Sequence, residues 1–332
     1  MSVIDMHAHV TPERYKKAIK ERGEWHGLDG VAGELGLGGF DKMLDQRLAE
    51  MDSLGVDMQL VTPTVGFYQY GNELDVTRRI ALECNEEIAE MVAAHPTRFS
   101  GLATLPMQDP PSAIAELERA MTQLGLKGVI ISDHVAGRTY DEPDFLPFFT
   151  AAEELGAIVF FHQGGDTVVN HRISRYKLGN AVGNLTERAL VFANAGVRRG
   201  PRPLSRARAV PGTRGGFTSF GVARMDKVAG ALEPDSGEGF IPPFGQSDGF
   251  AQAMPPSDYL GRFLYDSCTY SGHALRFLID AVGIDRIILG TDYPAPMVQH
   301  DAVNWVDGLP ELSAGEKEAI LSGNPARVLG LS

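Results

Sequence analysis

The stretch Val3-Ile4-Asp5-Met6-His7-Ala8-His9 places two histidines, two residues apart, at the end of a short apolar run near the start of the chain. An extended run of this kind predicts a strand. Because strand side chains alternate in direction, His7 and His9 are expected on one face. Two imidazoles held in this way supply half of a zinc-type site. The alternative is a pair of ordinary polar residues at a frayed terminus, so the interpretation depends on partners further along the chain.

The 332-residue chain has ordinary globular composition, with 43% hydrophobic and 22% charged residues. Barrels of the α/β class commonly hold more than about 250 residues in one unit, so we expect residues 1–332 to form a single domain. No apolar run approaches the roughly 18 to 20 residues of a membrane span, and no secretory leader precedes Asp5. The two cysteines, Cys84 and Cys268, indicate buried thiols, so we predict a cytoplasmic protein. A net charge of -13 argues against a nucleic-acid partner, because phosphate binding requires a basic surface.

Apolar strands alternate with amphipathic helices along most of the chain, which is typical of a parallel sheet covered on both faces. The predicted strands are Val3–Met6, Val56–Thr62, Phe99–Leu105, Lys127–Ser132, Ala157–His162, Tyr259–Asp266 and Arg286–Thr291. The predicted helices are Phe40–Leu54, Asp75–Ala93, Ser112–Leu124, Phe145–Leu155, Ala274–Val282, a capping-box helix from Ser313 and Pro325–Leu329.

This length favours a closed barrel over an open doubly wound sheet, and no glycine-rich phosphate loop follows the first strand. We therefore predict a (β/α)8 TIM-type barrel with long loops at its mouth, at about residues 12–40 and 230–258. The seven assigned strands are one short of eight. The barrel is accordingly expected to be distorted, with its sixth strand in doubt.

His162 and Asp292 also stand at the ends of predicted strands. In a barrel those ends converge on one mouth, where active sites are built. His162 alone would more often be a satisfied core histidine. Together with His7 and His9, however, it completes a set of three imidazoles and one carboxylate that would leave a metal ion one open position.

Four segments resemble the amidohydrolase superfamily, in its branch of aminocarboxymuconate-semialdehyde decarboxylase and related aromatic-acid decarboxylases. They are Asp5-Met6-His7-Ala8-His9, Gly101-Leu102-Ala103-Thr104-Leu105-Pro106-Met107-Gln108, Phe160-Phe161-His162-Gln163 and Ile288-Leu289-Gly290-Thr291-Asp292-Tyr293-Pro294. The resemblance covers nearly the whole chain, and the last segment is the most specific. It implies one divalent metal, usually zinc with manganese as the alternative, bound by His7, His9, His162 and Asp292.

The resemblance also assigns two arginines to the substrate. Arg47 matches a residue that binds the substrate carboxylate, although from the sequence alone it could equally be a solvated helix residue. Arg224, within the block Gly221–Asp226, matches an arginine that the family presents to the neighbouring subunit's site. A homodimer is therefore expected.

One segment departs from the family pattern, which has a strand ending in His-Gly-Gly-Gly before the Arg224 block. The histidine of that motif polarises the metal's water ligand. Here the chain between Val197 and Gly215 carries six arginines, three prolines and no acidic residue: Arg198, Arg199, Arg202, Arg206, Arg208, Arg214, Pro201, Pro203 and Pro211. Prolines remove ladder donors and buried unpaired guanidinium groups are costly, so the composition predicts that no barrel strand forms there.

A pair of compensating reading-frame shifts would explain this segment. Read one base out of frame with suitable codons, Ala209 to Arg214 gives Leu-Cys-Leu-Ala-His-Gly, and Leu204 to Arg208 can give Phe-Pro-Glu-Leu-Val. The result reads like the absent strand and its histidine. A genuine basic insertion that binds an anion is the alternative.

The function that the sequence favours is a metal-dependent, non-oxidative decarboxylase of an aromatic or unsaturated carboxylic acid. In this scheme the metal activates water and orients the substrate, and Asp292 carries a proton to carbon as carbon dioxide leaves. The resemblance, more than the spacing, selects this reaction. A hydrolase or hydratase on the same scaffold is the first alternative, and a metal-binding barrel that has lost activity is the second. The mouth loops carry no motif that names the substrate.

Overall fold

Within the residues that the computed structural model describes (2–29, 42–197, 208–211, 215–231 and 255–331), eight short parallel strands alternate with helices. These strands are β1 (Ile4–Val10), β4 (Met58–Pro63), β5 (Phe99–Gly101), β6 (Gly128–Ile131), β7 (Ile158–Phe161), β8 (Arg208–Pro211), β9 (Tyr265–Asp266) and β10 (Ile287–Ile288). Two further strands, β2 (Glu24–Trp25) and β3 (Leu28–Asp29), form a small antiparallel hairpin.

The helices are α1 (Glu13–Arg22), α2 (Leu44–Leu54), α3 (Leu74–Ala94), α4 (Pro110–Thr122), α5 (Leu146–Glu154), α6 (Asn184–Val197), α7 (Thr218–Ala231), α8 (Ser257–Leu260), α9 (Gly272–Val282), α10 (Ala302–Gly308), α11 (Ala314–Glu318) and α12 (Asn324–Leu329). The capping box predicted at Ser313 is present, with Glu316 as its partner. No helix among the described residues combines the length and the apolar character needed to cross a bilayer.

The parallel strands form three hydrogen-bonded sheets, in the orders β1-β4-β5, β6-β7-β8 and β10-β9. A bridge between Ala103 and Val129 joins the first two sheets. The third joins β1 through a bridge between Ala8 and Tyr293 and a 2.9 Å hydrogen bond from Met6 N to Leu289 O. No ladder joins β8 to β9 within the described ranges, so the sheets are not closed into a complete barrel there.

The apolar strands explain why the sheet is covered on both sides. Every residue of β6 and of β7 is buried, as expected of parallel strands between two layers of helices. Gly128 is required at the start of β6, because its φ is 146° and a Cβ there would lie 2.0 Å from the carbonyl oxygen of Ile158. One hydrophobic core extends from Ile4 in β1 to Leu329 in α12.

Several sequence-based boundaries were wrong. The region from residue 12 to 40, predicted to be a loop, contains α1 and the β2-β3 hairpin, and residues 30–41 of it lie outside the described residues. The predicted strand Tyr259–Asp266 is a strand only at its last two residues, because α8 occupies its first two. Helices α6, α7 and α10 were not predicted. Of the second mouth loop, residues 232–254 lie outside the described ranges.

The sixth strand is the main correction. Arg208–Pro211 forms β8 and pairs in parallel with β7, with Arg208 opposite Ile158 and Pro211 opposite Phe161. The prediction that no strand forms between Arg198 and Arg214 is therefore wrong for these four residues. Pro211 is the last residue of the strand, so its missing N–H ends the ladder without interrupting it.

Candidate metal centre

Three strands bring the four predicted ligands together. His7 and His9 lie on β1, His162 directly follows β7, and Asp292 follows β10. All four side chains are buried, and the nearest ligand atoms of the set lie within 4.8 Å of one another. The Nε2 atoms of His7 and His9 are 3.2 Å apart and lie 3.4 and 3.1 Å from Oδ1 of Asp292. Two imidazole nitrogens and a carboxylate oxygen this close need a shared positive charge, either a proton or a metal ion.

The outer nitrogens of the two β1 histidines are already hydrogen-bonded. His7 Nδ1 donates to Oδ2 of Asp266 at 2.9 Å, and both side chains are almost completely buried. His9 Nδ1 donates to the hydroxyl oxygen of Thr62, also at 2.9 Å. In this tautomer Nε2 of each ring presents a lone pair to the cluster. Partners of this kind orient metal-binding histidines in other proteins.

His162 differs from the other two histidines, because neither of its ring nitrogens has a hydrogen-bond partner within the described part of the chain. Its ring centroid lies 5.0 Å from that of His7 and 4.7 Å from that of His9. Burial, reinforced by the neighbouring His9 and His7, holds the pKa of His162 well below its usual value. It is therefore a neutral, buried imidazole with an unsatisfied nitrogen. A bound cation would satisfy that nitrogen.

The charges of the cluster also suit a cation. Burial alone would raise the pKa of Asp292, but His7, His9 and His162 together hold it well below its usual range. Asp292 is thus a carboxylate. Burial lowers the pKa of His9, whereas Asp292, Asp266 and Asp5 together overcome burial and raise the pKa of His7. The donor set of three imidazoles and one carboxylate fits a divalent ion such as zinc or manganese.

The backbone around Asp292 is fixed in an uncommon conformation. Its φ of 60° lies in the left-handed region, which residues other than glycine seldom adopt. Asp292 N donates to the carbonyl of His7 at 2.9 Å, and Ala295 N donates to the Asp292 carbonyl at 2.8 Å. These contacts hold the turn that presents the carboxylate to β1, and backbone strain of this kind is frequent at functional sites.

Asp5 links β1 to the residue before Asp292. Its buried carboxylate accepts hydrogen bonds from Thr291 N (3.0 Å) and Thr291 Oγ1 (2.6 Å) and from Gln59 Nε2 (3.1 Å). Burial raises its pKa to about 6, against the effect of these hydrogen bonds. The network fixes the spacing between the His7 and Asp292 ends of the cluster.

Arg47 is buried beside β1, so the alternative that it is a solvated helix residue is wrong. Only 4% of it is exposed, and its guanidinium donates to Gln59 Oε1 at 2.8 Å and to the carbonyl of His9. It also stacks over the ring of Tyr293 at 4.7 Å. Burial lowers its pKa to about 10, so it stays charged at neutral pH. It lines a cavity of about 360 Å³ next to Val10.

Arg224 is not brought to the cluster within the single chain. Its side chain is exposed on α7, and the contacts of the cluster within the described ranges do not include it. The neighbouring Phe220 is 83% exposed. This part of α7 therefore faces away from the protein's own core.

The amidohydrolase family model matches residues 4–216 and 245–331. The chain belongs to the amidohydrolase family. It is 30% identical to a 2-amino-3-carboxymuconate-6-semialdehyde decarboxylase of Dictyostelium discoideum, over 99% of this chain and 91% of that protein.

Two solved structures of decarboxylases illustrate the similarity. The 5-carboxyvanillate decarboxylase of Sphingomonas paucimobilis is 27% identical, with a TM-score of 0.81 over 100% of this chain and 99% of that one. A dihydroxybenzoic acid decarboxylase of a Polaromonas species, solved with bound manganese and 2-nitroresorcinol, shares the fold. Its identity is 21% and its TM-score 0.78, over 99% of this chain and 97% of that one.

Sequence reasoning missed the residues that support the cluster. Asp266 is the last residue of a predicted strand, which is where ligand-positioning groups gather in a parallel barrel. Asp5 is a carboxylate inside an apolar run, and such a group must find buried hydrogen-bond partners. Both signals were present in the sequence. Their partners, 259 and 286 residues away along the chain, could not be identified from it.

Proposed function

We propose that this amidohydrolase is a metal-dependent, non-oxidative decarboxylase of an aromatic or unsaturated carboxylic acid. The observation that carries the proposal is the buried cluster of His7, His9, His162 and Asp292, in which His162 has unsatisfied nitrogens within the described residues. The full-length similarity to decarboxylases selects the reaction.

One divalent metal ion held by these four residues fits the donor set, and we take zinc as the first choice and manganese as the alternative. Imidazole and carboxylate ligands suit both ions. When bound, the ion would supply Lewis acidity and orient the oxygen atoms of the substrate. The manganese in the related dihydroxybenzoic acid decarboxylase supports the second choice.

Asp292 is proposed as the residue that moves the proton. Decarboxylation breaks the bond between the carboxyl carbon and the ring or chain carbon, whose electron pair stays on that carbon and must be protonated. One proton from solvent is consumed for each carbon dioxide released. Asp292 is a carboxylate at rest, so it must first accept this proton before it delivers it to carbon.

Arg47 is proposed to bind the substrate carboxylate, because a guanidinium can bind a carboxylate through two parallel hydrogen bonds. It contacts the carbonyl of His9, so it lies directly beside a ligand. It also borders a cavity that could admit a small acid.

Arg224 is proposed to act in the site of a second subunit. Arg224 shares one exposed surface with Phe220 and Val228 on α7 and with Phe217 just before it; these three are 83%, 43% and 44% exposed. An apolar surface of this kind is common at interfaces between subunits. The homodimer expected from the sequence would cover it and present Arg224 to the partner's metal centre.

Closure of the described strands into a (β/α)8 barrel, with residues 1–332 as one domain, is proposed from the continuous core and the family fold. The buried free thiols of Cys84 and Cys268 support the cytoplasmic location expected from the sequence.

The test is carbon dioxide release from a panel of hydroxy- and amino-benzoates and unsaturated dicarboxylic acids, using protein loaded with zinc or with manganese. We expect release from at least one acid, and its loss in His162→Ala. His273→Ala, in which a 91%-exposed histidine side chain is removed, is the matched control and should keep full activity. Conversion of a substrate without carbon dioxide would favour a hydrolase or hydratase. Metal binding without any turnover would favour a barrel that has lost activity.

A further inference from the structure

A tyrosine hydroxyl at the same end of the sheet as the metal centre is buried without a hydrogen-bond partner in the described residues. Tyr68 follows β4 after a short turn at Val65–Phe67 and is 3% exposed. Its hydroxyl oxygen is inaccessible to solvent, and no acceptor or donor within the described ranges reaches it. Because a buried polar group without a partner is costly, such a group in a native protein calls for a ligand or an ordered water.

Tyr68 packs against the segment that carries His162. A Cβ added to Gly164, two residues after His162, would lie 3.8 Å from Cδ2 of the Tyr68 ring and 2.4 Å from Oγ of Ser132. The absence of a side chain at Gly164 therefore makes room for the Ser132 hydroxyl, and the Tyr68 ring lies at van der Waals range from the same position. Since β4, β6 and β7 are parallel, their carboxyl ends bring this tyrosine to the edge of the sheet where the ligands lie.

A buried ion pair lies at the same edge. Arg188 on α6 forms an ion pair with Asp133, which lies just after β6, and both side chains are almost fully buried. Arg188 Nη2 also donates to Oε1 of Gln163, the neighbour of His162, at 2.7 Å. Burial lowers the pKa of Arg188 to about 10, against the attraction of Tyr68, Asp266 and Asp292, so it is charged at neutral pH.

We propose that the Tyr68 hydroxyl, beside the ion pair of Arg188 and Asp133, binds a second oxygen atom of the substrate, distinct from the carboxylate proposed to bind Arg47. The inference rests on the proposed function and adds the residue that would recognise this second oxygen, whether it belongs to a hydroxyl or to a second carboxylate. We call Tyr68, Arg188 and Asp133 the oxygen subsite.

The chemistry of the subsite selects an acceptor. Burial raises the pKa of Tyr68 well above its usual value, so the phenol keeps its proton and donates it. A hydroxyl or carboxylate oxygen accepts this hydrogen bond. An aromatic amino group is a poor acceptor, because its nitrogen lone pair is delocalised into the ring. Hydroxy acids should therefore bind better than the corresponding amino acids of the benzoate series.

The test compares wild-type protein with Tyr68→Phe, which removes only the hydroxyl. The metal-loaded proteins are titrated calorimetrically with benzoate, the three monohydroxybenzoates and the three aminobenzoates. We expect the wild type to bind one hydroxybenzoate about 10- to 100-fold more tightly than benzoate, the range expected when a ligand satisfies a buried hydroxyl that otherwise lacks a partner. Tyr68→Phe should lose this factor and leave benzoate binding unchanged within about twofold.

Tyr140→Phe is the matched control. Its hydroxyl is also buried in this region, but it donates to the carbonyl of Ser132 at 2.7 Å. We expect Tyr140→Phe to lower the melting temperature and leave the preference among benzoates unchanged. We expect Tyr68→Phe to keep the melting temperature and lose the preference for the hydroxybenzoate. A melting temperature for Tyr68→Phe as low as that of the control would mean that its hydroxyl is bonded within the protein, and would overturn the inference. So would an equal loss of affinity for all the acids, or no loss at all.

Carbon dioxide release is measured separately on the same proteins. Selective loss of hydroxybenzoate binding without carbon dioxide from any acid would sustain the subsite and contradict the decarboxylase. Release of carbon dioxide with the same substrate preference in wild type and Tyr68→Phe would sustain the decarboxylase and contradict the subsite.

Discussion

Replacement of Asp266 by asparagine tests whether the orientation of His7 controls metal binding. The carboxylate accepts from His7 Nδ1 at 2.9 Å, and neither side chain is accessible to water that could replace the bond. Asparagine keeps the shape but removes the charge and can present an N–H to the ring, which would favour the wrong tautomer. A hydrogen bond to a charged group contributes about 1.5–3 kcal/mol. At about 1.4 kcal/mol for each factor of ten, metal affinity should fall roughly 10- to 100-fold.

The assay is competition for zinc and for manganese against a chromophoric chelator at fixed pH, with the melting temperature of the metal-free protein recorded in parallel. Asp280→Asn is the control, because Asp280 is 66% exposed in its ion pair with Arg276 and lies outside the cluster. It should bind metal like the wild type. An Asp266→Asn protein that melts normally and binds metal with unchanged affinity would refute the role assigned to this contact.

Three other expectations concern the proposed site and the basic segment. His162→Ala should lose most of its bound metal, against about one ion per chain in the wild type by elemental analysis, and retention of metal and activity would contradict the ligand assignment. Arg47→Ala and Arg224→Ala should each be inactive alone. Full subunit exchange between them should restore about a quarter of wild-type activity, because half of the dimers then carry one intact site of their two. Exchange without recovery counts against the cross-subunit arrangement. Resequencing the gene checks the reading-frame hypothesis for Arg198–Arg214. The frame-restored protein should melt at a higher temperature than the chain as written. Equal melting temperatures and equal turnover would lead us to treat the segment as genuine.

The parts of the fold that depend on local pattern were predictable. Buried runs such as Val129–Ile131 and Ile158–Phe161 are apolar on both faces, and only a parallel sheet between two layers of helices buries both faces of a strand. The same reasoning placed His7, His9 and His162 at one mouth, since it needs only the direction of the strands. Their convergence follows from this topology: the Nε2 atoms of His7 and His9 are 3.2 Å apart, and the ring centroid of His162 lies 4.7 Å from that of His9.

Features that depend on contacts between distant residues could not be predicted from the sequence. Helix α1 was missed because it buries little more than Tyr15 and the stem of Lys16, so its apolar period is weak. Asp266 reads as the end of a strand, and only the folded chain identifies His7 as its partner. Tyr68 and Arg188 are single residues on separate elements, and no spacing in the sequence connects them.

For the sixth strand, the local sequence pattern and the pairing between distant residues disagree. Its composition argues against a strand covered on both faces, yet its backbone pairs with β7, and Phe161 lies opposite Pro211. His162 follows Phe161 by one residue, and position 213 follows Pro211 by two. In the frame-shifted reading position 213 becomes histidine, the residue type that the family resemblance requires after this strand. In the chain as written that position is Thr213, which cannot act as the base that an imidazole provides.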